Sequence, residues 1–166
     1  MEQVHPIRDI FADAVHETLL QKLGVHDEQV ETYLTELLVK FMHQDQLFSI
    51  RDAYGRRVQS VVEMLAEGDV RLNAMSFERE REVHKHVGDF MLFWGGMFPE
   101  NLTQQGGHMA ILDCERQGSE SYLIASSFDH EPFTFEAPLL NKLASEFAAY
   151  RFGLNLVRDS LGKMAA

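Results

Sequence analysis

The chain has 166 residues, with 26 Asp and Glu against 15 Lys and Arg, a net charge of −11 and a hydrophobic share of 45%. That size and balance suit one globular domain with a sizeable core, and exclude a chain too polar to fold. The negative charge argues against nucleic acid and anionic membrane surfaces as partners, because sequence-independent affinity for either is built from Lys and Arg that neutralise phosphate.

No basic run offsets this locally. Arg56 and Arg57 form the densest pair, and Arg79 and Arg81 alternate with Glu78, Glu80 and Glu82. The single cysteine, Cys114, permits no intrachain disulfide and fits a reducing compartment. Residues 1–6 lack a basic segment leading into an apolar one, and the longest apolar stretch, from Phe90 to Phe98, is about half of the roughly 20 residues a membrane-spanning helix takes. The expected location is cytoplasmic, without membrane association.

The hydrophobic spacing predicts six helices. The first covers about residues 6–23. Pro6 suits a first turn, Ile7, Phe11, Val15 and Leu19 recur every four residues, and Gly24 can stop the helix in a left-handed conformation. The second opens at Asp27 as N-cap and carries Val30, Leu34, Leu37, Leu38 and Phe41 on one face to about residue 44. Residues 45–57 break the pattern: Ala53-Tyr54-Gly55 reads as a turn, with Leu47, Phe48 and Ile50 plugging the core. A third helix, about 57–67, turns Val58, Val61, Val62 and Leu65 inward and stops at Gly68-Asp69; residues 70–75 fit no pattern.

The fourth helix runs from about Ser76, a capping residue, to Met97 before Phe98-Pro99. A loop through Gly106-Gly107 leads to the fifth, about 108–126, interrupted by Gly118, with Ser121–Ser127 the one stretch that could be a strand. Asp129-His130-Glu131-Pro132 reads as a turn. The sixth, about 135–161, has a stripe of Leu139, Leu143, Phe147, Tyr150, Leu154, Val157 and Leu161 at steps of three and four, the mark of a bundle's spine. The expected fold is therefore all-α, a single-domain bundle of about six helices over residues 1–166, with a long C-terminal amphipathic helix as its spine.

Phosphate loops, nucleophile elbows and zinc motifs are missing from the sequence. Carboxylate and imidazole pairs on helices remain, and their worth depends on which way each faces. With about 100° per residue, the core face of the fourth helix collects Phe77, Glu80, His84, Val87, Met91, Trp94 and Phe98. Glu80 and His84 stack there one turn apart. Such a pair supplies two metal ligands or an oriented imidazole; otherwise it is a buried hydrogen bond that locks register. Glu115, on the expected inner face of the fifth helix with Ile111, Leu112 and Tyr122, is the best third ligand, ahead of His108 and Asp113.

Glu82, His86 and Asp89 lie on the opposite face, beside Glu78, Arg79 and Lys85, and read as a solvated charged surface. Asp89 stands apart, because the helix beyond it is apolar all round. Glu36 and His43 point away from their helix's apolar stripe. A di-iron bundle also needs Glu-x-x-His pairs, and none occurs.

Gly88, Gly95 and Gly96 allow close approach of another backbone or a flat ligand. The run His86-Val-Gly-Asp89 followed by Gly95-Gly96 resembles, over about a dozen residues, the Gly-Asp…Gly-Gly stretch of the distal helix of heme oxygenases, with Phe-Met-Leu-Phe-Trp pushing the two glycines further out. That resemblance implies heme against the glycines and His16 as proximal ligand; close helix packing accounts for the same glycines.

Two readings follow. The first is a non-catalytic helical domain without cofactor, acting through protein contacts as an adaptor, accessory or regulatory subunit. Its all-round apolar segment from Phe90 to Phe98 must be central or covered by a second copy or another protein. The alternative is a helical-bundle metalloprotein or oxidoreductase holding Fe, Mn or Zn on Glu80, His84 and Glu115.

Overall fold

A computed structural model describes residues 6–42, 50, 54, 61–68, 76–101 and 111–165. Among these, seven α-helices and no strand occur: α1 (Pro6–Glu17), α2 (Glu28–Phe41), α3 (Val61–Gly68), α4 (Phe77–Met97), α5 (Ile111–Ser126), α6 (Ala137–Ser145) and α7 (Phe147–Ala165). The chain is an all-α helical bundle. Expectations for Leu47, Phe48, Val58, His43, His108, the loop at Gly106-Gly107 and residues 70–75 lie outside the described residues. Ile50 is buried as expected, and Tyr54 sits in a turn.

α1 reaches the core through Val15 and then Leu19, while Ile7, expected on the same stripe, is exposed. It widens into a π-helical turn, Thr18–Lys22, and stops at Gly24 with φ of 65°, where a side chain would be strained. The Val25 N–H closes this end on the Leu19 carbonyl at 2.8 Å. The π turn adds one residue to the last coil, so the closing bond reaches one position further back than in an ordinary α-helical end. At α2, Asp27 accepts from the N–H groups of Gln29 and Val30, both at 3.1 Å, and pairs through its other oxygen with Lys142 of α6.

α4 is the centre. Ser76 caps its start by accepting from the Arg79 N–H at 3.1 Å. Helices α2, α3, α5 and α7 all pack on it. Val83, Val87, Phe90, Met91 and Leu92 have no solvent contact, and each such side chain contributes about 1.5–3 kcal/mol by its burial. The helical-wheel expectation of one core face is too simple here. Phe77, expected inward, is 67% exposed, whereas both sides of the helix are covered from Val83 onward. The apolar segment 90–98 is enclosed by the chain's own helices, with only Trp94 and Phe98 reaching the surface. Its apolarity is accounted for without a second molecule.

The glycines of α4 are points of close helix packing. A Cβ at Gly88 would lie 2.6 Å from the Tyr122 ring, and one at Gly96 2.5 Å from Leu154. α5 runs unbroken from Ile111 to Ser126 through Gly118 and through the stretch once open to a strand. Its inner face is Cys114, Gly118, Ser121, Tyr122 and Ala125. Ile111 and Leu112, expected there, are exposed, because the inner stripe starts at Cys114.

The expected C-terminal spine is two helices. Leu143, Phe147, Tyr150, Leu154 and Val157 are buried as its stripe requires, but the helix is interrupted at Glu146 (φ −110°, ψ 21°). The Ser119 hydroxyl donates to the Ala144 carbonyl at 2.6 Å. That carbonyl would otherwise accept from the following turn, and a side chain competing for it is an ordinary cause of a helix break. No helix among the described residues is long and apolar enough to cross a membrane.

Gly118 tests this packing. Gly118→Ala places a methyl 2.2 Å from the Phe147 ring, so α5 and α7 must part. Denaturant unfolding should show a loss of about 1–3 kcal/mol, against the gain of roughly 0.5–1 kcal/mol that an exposed helical Gly→Ala brings.

Candidate functional site

The residues singled out by spacing do not converge. His84 is buried, with Nδ1 3.5 Å from the Ser121 hydroxyl of α5, and Glu80 lies one turn earlier, half-buried. Ser121 also accepts from Gln117 Nε2 at 3.0 Å and has no solvent contact, so this serine links α5 to α4 at His84.

Glu115 is engaged elsewhere. It accepts from Arg151 Nε at 2.7 Å, and Arg151 donates through a second nitrogen to the Gly95 carbonyl at 3.2 Å. Asn155 donates to the Gly95 carbonyl at 3.2 Å and to that of Gly96. Together these side chains satisfy the last carbonyls of α4, with a cation at the negative end of its dipole. Ser121, where His84 meets α5, is about 9 Å along the helix from Glu115. Glu80 and His84 are thus neighbours, and Glu115 is not brought to them; the described residues put no cluster of three ligating groups there. Asp113 is exposed beside Arg116, and Glu36 pairs with Arg8.

The glycines do not fit a flat cofactor either. Tyr122 occupies the space at Gly88, Cys114 and Arg151 that at Gly95, and Leu154 that at Gly96. His16 lies on α1 with its Nδ1 3.1 Å from Glu31 of α2.

The solvated face expected at Glu82, His86 and Asp89 is a correction to make. Glu82 is exposed, but His86 and Asp89 are buried. α2 covers this side of α4, and the His86 ring packs edge-on against Phe41 at 5.7 Å. Asp89 is only 3% exposed. Two tyrosine hydroxyls, Tyr33 of α2 at 2.5 Å and Tyr122 of α5 at 2.6 Å, both donate to its Oδ1.

Burial raises the Asp89 pKa above the ordinary carboxylate value, opposed by the two hydroxyl donors and by the charges of Lys85 and Lys40. Burial likewise drives both tyrosines well above the usual phenol value, and the neighbouring carboxylate adds to it, so they stay donors.

The network reaches the surface at Tyr33, which is half-buried, and Asp89 lies just behind it. It lines a cavity of about 120 Å³ with Tyr33, Lys40 and Lys85, and another of about 200 Å³ with Lys40, Arg81 and Lys85. Beside them a groove of about 640 Å³ lies between α2 and α6, lined by Thr32, Tyr33, Lys85, Phe135, Glu136 and Leu139 among others. Burial alone would raise Glu136, but Lys85 at 2.7 Å and Arg81 outweigh it and hold its carboxyl below the usual range. The Arg81 guanidinium also lies 4.0 Å over the Phe133 ring. Lys85, Glu136 and Glu36 at the groove are therefore paired before anything binds.

Of this site, spacing pointed only to Asp89, through the apolar run that follows it, and to Tyr122 as an inward residue. Tyr33 went unnoticed, because it sits beside the stripe of α2 rather than on it.

Asp89→Asn keeps an acceptor for both hydroxyls and removes the charge. A carboxyl whose folded pKa is raised contributes stability below its unfolded pKa of about 3.9 and loses it as pH rises through the folded value. Relative to the native chain, the variant should therefore gain stability between about pH 4 and about pH 8 in denaturant titrations, the pH response of Glu136 cancelling in the comparison. Asp89→Ala leaves both hydroxyls without their acceptor and should be at least about 1 kcal/mol less stable than Asp89→Asn at either pH.

No protein-family model matches the chain, and no similar curated protein or solved structure was found.

Proposed function

We propose that this chain acts by contact rather than by chemistry, as an adaptor, accessory or regulatory domain, and that its contact site is the groove between α2 and α6. The observation that carries this reading is Phe135. Its ring is 85% exposed at the edge of a groove whose other apolar lining is Tyr33 and Leu139. A large exposed aromatic beside an apolar depression resembles the anchoring end of a protein interface.

Three features support a protein partner over a small metabolite. Every residue lining the groove reaches solvent, so the depression is open along its length, whereas a small-molecule site encloses most of its ligand. Lys85 and Glu136 are already paired with each other, so covering them with an apolar side chain strands no charge. The net charge of −11 favours a neutral or basic partner and repels phosphate-bearing ones. A different protein of neutral or basic charge meets all three conditions; a second copy of this chain meets the first two but carries the same −11, and a cytoplasmic setting belongs to the same reading. The alternative, a metalloprotein or oxidoreductase built on Glu80, His84 and Glu115, would first have to release Glu115 from Arg151.

A photo-crosslinking residue placed at position 135, in cells that make the protein, should give a discrete adduct. The same residue at position 77, also exposed, on α4, should not. Thr32→Arg, an exposed position that puts a cation into the groove, should abolish the adduct while leaving the purified chain's unfolding free energy within about 0.5 kcal/mol of native, as for other surface changes. An adduct of twice the chain's mass identifies a homodimer. No adduct at 135, or equal adducts at 135 and 77, would rule this groove out.

A further inference from the structure

We infer that His16, His26 and Glu31 form a binding site for a zinc-class divalent transition metal, at the junction of α1 and α2. This site is separate from the groove and does not depend on it. His16 Nδ1 lies 3.1 Å from both carboxylate oxygens of Glu31. The His26 ring stands edge-on to His16, with centroids 6.1 Å apart and planes at 77°. One ligating atom from each of the three falls within 4.8 Å of the others.

The donor set decides the class of ion. Two imidazoles and one carboxylate suit Zn²⁺ and its transition-metal neighbours, whereas Mg²⁺ and Ca²⁺ take oxygen ligands almost alone. Tetrahedral zinc with bonds of about 2.0–2.2 Å holds its ligand atoms roughly 3.4 Å apart. The His16–Glu31 contact already has that spacing. His26 has at most about 1.4 Å to close on the same geometry, and its side chain is exposed, on the short loop between Gly24 and the helix cap Asp27.

The local fold explains why these residues meet. The π-helical turn and the positive-φ Gly24 reverse the chain within a few residues. This brings the end of α1 beside the first turns of α2, where Glu31 lies about 300° round the helix from Glu28. Three protein ligands leave a fourth position for water or an incoming group. A bound ion would join the end of α1, the reversal and α2 at one point, on a helix pair that also carries the Arg8–Glu36 ion pair and places Val15, Leu19 and Val30 in the core.

Calorimetric titration of ZnCl₂ into tag-free, chelator-stripped protein at about pH 7.5 tests the site. One ion per chain is expected. Loss of even an outer partner of a metal ligand typically weakens affinity about 10–100-fold, so His16→Gln and His26→Gln should each weaken it at least about tenfold. Both residues are exposed, and circular dichroism should show the fold unchanged. His130→Gln should bind as the native chain does, MgCl₂ should give no saturable heat, and affinity should fall steeply by about pH 5.5, because coordinating imidazoles must lose their protons. An absence of saturable zinc binding, or zinc binding that survives both His16→Gln and His26→Gln, would overturn the assignment.

Discussion

A carboxylate carried into the middle of a helix bundle must find donors before the bundle can close, since an unpartnered buried charge costs more than a small domain has to spare. Asp89 finds two, and they come from helices on either side of α4: Tyr33 from α2 and Tyr122 from α5. Neither hydroxyl can reach Oδ1 unless its helix has the right rotation and the right height. Three helices are thereby put in register at one oxygen atom, a directional constraint that apolar contacts alone do not impose. Gly88 belongs to the same arrangement. The absence of a side chain just before Asp89 makes room for the Tyr122 ring that delivers one of the hydroxyls.

The other charged groups of the interior follow a similar logic at the edges of α4. Glu115 holds Arg151, and Arg151 with Asn155 closes the C-terminal carbonyls of α4. Near the opposite end, Arg81 and Lys85 share Glu136. These are the residue types from which active sites are built. Here they join one helix to another.

Much of the architecture could be read from spacing alone. The π turn was not foreseen, but the stop at Gly24, the cap at Asp27, the start at Ser76 and the buried stripe from Leu143 to Val157 all follow from local rules that need no knowledge of neighbours. What spacing cannot supply is how many neighbours a helix has. The first half of α4 looks amphipathic, so one face was assigned to water. α2 lies over that face, and His86 and Asp89 are consequently interior. The partners of Asp89 were hidden for a related reason: a tyrosine beside an apolar stripe reads as a border residue until the opposing acid is in place. The interruption at Glu146 goes with a bond from the Ser119 hydroxyl to the Ala144 carbonyl 25 positions on, a contact that no short window along the sequence contains.

That interruption gives the last part of the chain two separate jobs. α6 packs on α5 and touches α2, and its Leu139 forms one wall of the surface depression. α7 lies against α4 and α1. An uninterrupted rod over the same residues would be roughly 40 Å long, and a straight rod cannot follow both directions. A single serine hydroxyl thus lets one continuous apolar stripe shut the interior while its first two turns shape the exterior.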